Sequence, residues 1–230
     1  MSKERSLKKR VPLLAIGAAL LAACQISASA EEPVRTPVAD LQVKESGDTR
    51  TAIFAGGCFW GVEAVFSHVD GVKSAVSGYH GGSKADADYK KVSAGATDHA
   101  EAVRITYDPA KVRYDELLRI YFAVVADPTQ LNRQGPDTGR QYRSAIVPTT
   151  PAQARVARAY IAQLDDAKLW PKPIVTRVEA EKKFYPAEPY HQDFALKNPR
   201  HPYIKRWDAP KVEALRALFP QDYRASFQRG

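Results

Sequence analysis

Apolar and polar positions alternate with different periods along this chain, and the periods predict its elements. Thr51–Ala55 is a short apolar run that ends at Gly56-Gly57 and predicts a buried strand. Phe59, Val62, Val65, Phe66 and Val69 follow at helical spacing, so the unit reads strand, Gly-Gly turn, Cys58, helix. Gly71–Tyr79 predicts a strand with Val72 and Val76 inward, and Gly78–Gly82 predicts a loop. Residues 101–107 alternate cleanly: Glu101, Val103, Ile105 and Tyr107 share one face of a predicted strand. Leu117, Leu118, Tyr121, Phe122 and Val125 mark a helix over 113–125, and Ser144–Val147 a short strand. Pro151 stands where a first helical residue would, ahead of a helix over 152–164, and Ile174–Glu179 predicts another strand. Helices interspersed with strands predict an α+β domain in two layers, from residue 51 to residue 230.

The N-terminal pattern is of another kind. Basic Met1–Arg10 precedes the apolar run Val11–Ala23, which is shorter than the roughly 17–25 residues a membrane-spanning helix needs. It suits the apolar region of an export signal, in residues 1–24. Two processing routes are open. Leu21-Ala22-Ala23-Cys24 resembles a bacterial lipoprotein signal, with Cys24 lipidated and the domain tethered on the periplasmic side of a membrane. Alternatively, Ala28-Ser29-Ala30 offers cleavage before Glu31 and a secreted or soluble periplasmic protein. Residues 25–50, rich in Glu, Pro, Ala, Ser and Asp, predict a flexible linker that spans about 25–30 Å.

Charge adds one exclusion. The chain carries a formal +8, of which residues 1–10 hold +4 (five Lys and Arg against Glu4), leaving 8 − 4 = +4 on the rest. That excess forms no clustered basic stripe in the sequence, which argues against a nucleic-acid partner. No histidine or cysteine spacing predicts a metal site.

Candidate chemistry centres on Cys58, the single cysteine of residues 51–230. A thiol at the first turn of a helix meets unpaired N–H groups and the positive end of the helix dipole, and both lower its pKa. Gly56 and Gly57 permit close approach of a ligand. Phe59 and Trp60 can wall a small apolar pocket. Glu101, a carboxyl on an apolar strand face, is a candidate acid, because burial raises its pKa. Three readings fit: a thiol redox enzyme, a cysteine hydrolase with a histidine base, and a non-catalytic binding module.

Ordered motifs separate them. Gly56–Glu63 resembles the G-C-F-W-G signature of the A-type peptide methionine sulfoxide reductases. Gly78–Gly82 is similar to that family's G-Y-x-G-G loop, and Tyr89, Val92, Gly95, Thr97, His99, Ala100 and Glu101 to its Y-x-x-V-x-x-G-x-T-x-H-A-E segment. Asp137, Gly139, Gln141, Tyr142, Arg143 and Ser144 match its D-x-G-x-Q-Y-R-S segment, and Ala187–Gln192 with Asn198-Pro199 its C-terminal elements. The resemblance implies a two-layer α/β sandwich with a mixed sheet and a ferredoxin-like core. It implies that Cys58 attacks the sulfur of a methionine S-sulfoxide, free or in a protein, and becomes a sulfenic acid. Glu101 then protonates the oxygen, Tyr89 and Tyr142 hydrogen-bond it, Asp137 orders the polar side, and Phe59, Trp60 and Gly57 hold the substrate. No bound cofactor is implied, only an external thiol reductant, either a thioredoxin-like protein or a small thiol. Two departures stand out: Asp98 where the family commonly has Gly, and no cysteine after Cys58, where many members carry recycling cysteines. His99 and His191 are expected to make structural hydrogen bonds.

Overall fold

A computed structural model describes residues 32–230. The signal segment and Cys24 lie outside the described residues. The elements in chain order are β1 (Arg50–Gly56), α1 (Phe59–Ser67), β2 (Val72–His80), α2 (Tyr89–Ser93), β3 (Ala100–Tyr107), α3 (Tyr114–Ile120), β4 (Arg133–Gln134), β5 (Asp137–Thr138), β6 (Ser144–Val147), α4 (Pro151–Asp166), β7 (Arg177–Val178), β8 (Tyr185–Pro186), α5 (Phe194–Lys197) and α6 (Ala209–Leu218). One mixed six-stranded sheet has the order β7-β6-β1-β3-β2-β8, with β6–β7 its parallel pair. The run β1-α1-β2-β3-α3-β6 lays its four strands in the order β6-β1-β3-β2, all antiparallel to their neighbours. This is the split-βαβ, ferredoxin-like arrangement.

The core forms where the predicted stripes meet. Phe54 of β1 packs between Phe66 of α1 and Tyr114 and Tyr121 at 5.3–6.1 Å between ring centroids. Val103, Ile105 and Tyr107 of β3 point into the same layer. The other sheet face carries a smaller cluster of Ile53, Ala55, Ala100, Ala102, Ala145 and Val147, with Phe184 over it. Helix α4 starts as expected, with Pro151 in its first turn and the Thr150 side chain accepting from the Gln153 N–H.

Three expectations are corrected. A bulge between Val72 and Ser74 shifts the parity of β2 by one. Val72, Ala75 and Tyr79 therefore enter the main core, and Val76 packs on the opposite face. Gly78–His80 continue β2 rather than forming a loop, because His80 pairs with Ala100 and the turn falls at Gly81-Gly82. Residues 33–46 lack regular secondary structure, as a linker would, but they are packed as a strap. Val34 N–H donates to Ala123 O at 2.9 Å, and Thr36 and Arg119 exchange side-chain-to-carbonyl hydrogen bonds. Tyr160 OH donates to Pro37 O, and Glu45 receives Tyr107 OH and Gln153 Nε2. Composition hides this because the strap binds through scattered backbone and side-chain polar groups, not an apolar stripe.

Candidate active site

Antiparallel register brings four chain ends together. The C-terminal end of β1 lies beside the N-terminal ends of β3 and β6, and Gly56 pairs with Ser144. The C-terminal end of β2 joins them, with Tyr79 opposite Glu101. Cys58 leaves β1 at this end and caps the start of α1. Glu101 stands there on β3, and Tyr142 on the turn that leads into β6. Residues 42 positions apart in sequence thus share one hydrogen bond: Phe59 N–H, the first of α1, donates to Glu101 Oε2 at 3.0 Å.

Glu101 is 2% exposed. Burial pushes its pKa up to about 8, further helped by Asp137 and Asp208 and opposed by the Phe59 N–H. At neutral pH it therefore holds its proton. Tyr89 and Tyr142 are half-buried, and burial followed by the Glu101 charge raises both, so both remain O–H donors. Cys58 is half-buried. Here the expected thiolate is corrected. Burial raises the thiol well above its usual range, and Glu101, Asp208 and Asp137 push the same way, against a single favourable Trp60 N–H. The helix terminus acts as expected but is outweighed by burial first and by the neighbouring carboxyls second.

The aromatic pair following the thiol divides its work. Phe59 is 1% exposed and packs on Tyr79 and His191, at 5.9 and 5.0 Å between centroids. Trp60 is half-buried, stacks on Phe194 at 3.7 Å and 7°, and meets Tyr203 edge-on. Its indole N–H donates to His191 Nδ1 at 3.1 Å. His99 bonds Gly82 N–H and Ser83 O. Both histidines thus serve hydrogen bonds away from the thiol, which disfavours a hydrolase of the cysteine–histidine kind. Gly57, at φ +87°, is approached by Gln134 rather than by open space, since a Cβ there would lie 2.5 Å from the Gln134 Cβ. Gln134 in turn clamps Asp127 through both its N–H and its carbonyl. Asp98, the departure from the family Gly, is exposed and pairs with Arg140 at 3.0 Å. It avoids positive φ, so the substitution strains nothing.

Sequence reasoning missed four contributors. Glu188 receives Tyr79 OH at 2.7 Å and Tyr89 N–H at 2.9 Å, and so fixes the helix that carries Tyr89. Glu63, fully buried in α1, receives Asp193 N–H on both oxygens and ties the 190s loop to the helix. Tyr203 donates to Asp137, and Asp208, 2% exposed, lies on the same opening as Cys58. Glu63, Glu188 and Tyr203 had a weak signal as polar residues among quoted motifs or beside them; Asp208 had none.

A ferredoxin-like sheet with a cysteine at a helix start, faced by a protonated carboxyl and two phenols, is the architecture of a thiol oxidoreductase. The sequence profile described as peptide methionine sulfoxide reductase matches residues 50–223. The chain belongs to that family: it reduces methionine sulfoxide and repairs oxidised protein. Similar proteins include peptide methionine sulfoxide reductase MsrA 2 of Mesorhizobium japonicum, 59% identical over 78% of this chain and 92% of that one. The MsrA 2 of Synechocystis sp. is 54% identical over 77% and 83%. Among solved structures, reduced Mxr1 from Saccharomyces cerevisiae is 30% identical with a TM-score of 0.61, covering 70% of this chain and 92% of that chain. Methionine sulfoxide reductase A of Corynebacterium diphtheriae is 32% identical with a TM-score of 0.58, covering 76% and 91%.

Proposed function

We propose that Cys58 reduces the S epimer of methionine sulfoxide by direct attack on sulfur, with Glu101 as the acid. The observation that supports this reading most is the pairing of a half-buried thiol with a carboxyl that keeps its proton at neutral pH. As the Cys58 sulfur bonds to the sulfoxide sulfur, charge develops on the oxygen. Glu101 protonates that oxygen while Tyr89 and Tyr142 donate hydrogen bonds to it, and the thiol proton of Cys58 restores Glu101. Methionine leaves as the oxygen passes to Cys58 and the transient S–S bond breaks, giving a sulfenic acid: the substrate's S–O bond is exchanged for one on Cys58. Trp60 flanks the substrate methyl group, Phe59 backs it from the core, and Asp137 holds the polar rim. Regeneration consumes two external thiols, from a small thiol or a thioredoxin-like protein. The test is reduction of a racemic methyl aryl sulfoxide with dithiothreitol, resolved by chiral chromatography. The S epimer is consumed by the wild type and not by Cys58→Ser; consumption of both epimers, or turnover by the variant, refutes the reading.

We further propose that the protein is exported and tethered by a lipid on Cys24. The support is the signal pattern of residues 1–24 together with the packed strap. Because residues 33–46 lie on the domain, the tether is the eight residues 25–32, at most about 26–29 Å when fully extended. The mass of the mature protein decides: an acylated N-terminus at Cys24 supports the tether, and an unmodified one at Glu31 refutes it.

A further inference from the structure

Cys58 lines a slot on the side away from the central sheet. The slot is narrow, of about 10 Å³ and so with room for about one water, and is lined by Cys58, Gln134, Asp137, Tyr203, Asp208 and Lys211 among others, and by none of Glu101, Tyr89 or Tyr142. It lies between the β4–β5 hairpin and the turn Ile204–Asp208 that leads into α6. The Tyr203–Asp137 hydrogen bond joins its two walls, and Lys211 Nζ is held over it by Val125 O at 2.6 Å. Asp208 occupies a definite place in it. A Cβ on Gly61 would lie 2.4 Å from Asp208 Oδ1, so the carboxyl rests on the first turn of α1, three residues after Cys58 and on the same helix face. Only glycine at position 61 leaves room for it.

Displacement at sulfur is an in-line event: the incoming thiol enters opposite the leaving oxygen. On the reading above, the oxygen of the sulfenic acid is left toward Glu101, Tyr89 and Tyr142. The incoming sulfur must then come from another side of Cys58, and this opening is on one. We propose that it is the approach path of the external thiol and that the Asp208 carboxylate takes that thiol's proton; this rests on the sulfenic-acid reading. The balance is RSH + Cys58–SOH → Cys58–S–SR + H2O. Asp208 accepts the thiol proton, the thiolate forms the S–S bond, the S–O bond breaks, and Glu101 supplies the proton that makes the leaving oxygen water. Asp208 then returns its proton to Glu101 through solvent. A second thiol cleaves the mixed disulfide, leaving Cys58 as thiol and the reductant as its disulfide.

The experiment separates the two halves in the full-length domain. Enzyme is first mixed with methyl aryl sulfoxide without thiol, and sulfide is counted; dithiothreitol is then added and recovery of the Cys58 thiol is followed. For Asp208→Asn the ratio of second-phase to first-phase rate is expected to fall at least tenfold between pH 6 and 8. The gap should close when the thiol is one already ionised at that pH, such as thionitrobenzoate. A structural role would not depend on the ionisation of the added thiol. Pro136→Trp, exposed on the slot rim, is a second variant that leaves Asp208 intact. It should slow recovery by a thioredoxin more than recovery by dithiothreitol if the protein reductant uses the slot; equal slowing assigns the slot to small thiols. An unchanged ratio in Asp208→Asn, or equal slowing with thiol and thiolate, overturns the assignment of Asp208, and unaltered recovery in Pro136→Trp overturns the path. Absence of one equivalent of sulfide from the wild type in the first phase overturns the sulfenic-acid reading instead, and the proposal with it.

Discussion

The two banks of Cys58 are built differently. Glu101 and Tyr142 stand at strand ends of the central sheet, and Tyr89 is fixed through Glu188 to Tyr79 of β2. Arg143, next to Tyr142, is buried and clamps Glu179 with two hydrogen bonds, at 2.7 and 3.1 Å. The opposite bank, with Tyr203, Asp208 and Lys211, lies outside the sheet at the turn Ile204–Asp208 and the start of α6, and Asp137 of the short β4–β5 hairpin borders both sides. Transition-state charge is stabilised by donors that need not reorganise, which the sheet bank supplies. A reductant that diffuses in and out needs a different property, an edge reached from solvent, which the exposed Pro136 rim supplies.

The comparison is broken most directly at its centre. Cys58→Ser should lower sulfoxide reduction by at least about 10⁴-fold, since the nucleophile serves both banks; a stopped assay with residual turnover above that level would contradict it. On the sheet bank, Glu101→Gln should cost about 10²-fold or more while raising the melting temperature. The sign follows from burial. The folded carboxyl keeps its proton up to about pH 8, whereas an unfolded glutamate loses it near pH 4.5. Between these values the unfolded state binds fewer protons, so wild-type stability falls as pH rises, by on the order of a few kcal/mol, and levels off above pH 8. The amide escapes this, and its advantage in thermal melts should grow from pH 5 to pH 8. Wild-type activity should decline above about pH 8 as the acid ionises, and a rate that keeps rising to pH 9 would count against Glu101.

Smaller effects sharpen the contrast. Tyr142→Phe removes one donor to the oxygen, for an expected loss of about tenfold in the sulfide-forming phase. Tyr203→Phe cuts the tie between the two walls of the slot and should change thiol recovery by only a few-fold. Single-phase kinetics that place both losses in the same half-reaction would erase the distinction between the banks.

Much of the sheet bank was legible because its residues sit in periodic elements or ordered motifs. Alternation alone put Glu101 on the apolar face with Val103 and Ile105, and the Gly-Gly turn put Cys58 at a helix start. The turn bank was not legible. Asp208 lies in a stretch with no alternation and no motif, and only the packing of Gly61 against it reveals its place. Val76 was misplaced for a related reason: a bulge reverses the inward face without any mark in the apolar pattern.

Sequence by itself determined the local chemistry: that the one thiol of residues 51–230 stands at a helix start, that a carboxyl shares the apolar face of a strand, and which family the motifs resemble. Those properties depend on neighbours within a few positions, and periodicity reports them. Tertiary structure alone decided the charge state of the site. The helix start favours a thiolate at Cys58, yet burial in the assembled site, reinforced by carboxyls brought in from 43 to 150 positions away, raises the thiol's pKa. Electrostatic energy depends on distance through a low-dielectric interior, and antiparallel register and one turn, not sequence separation, set that distance.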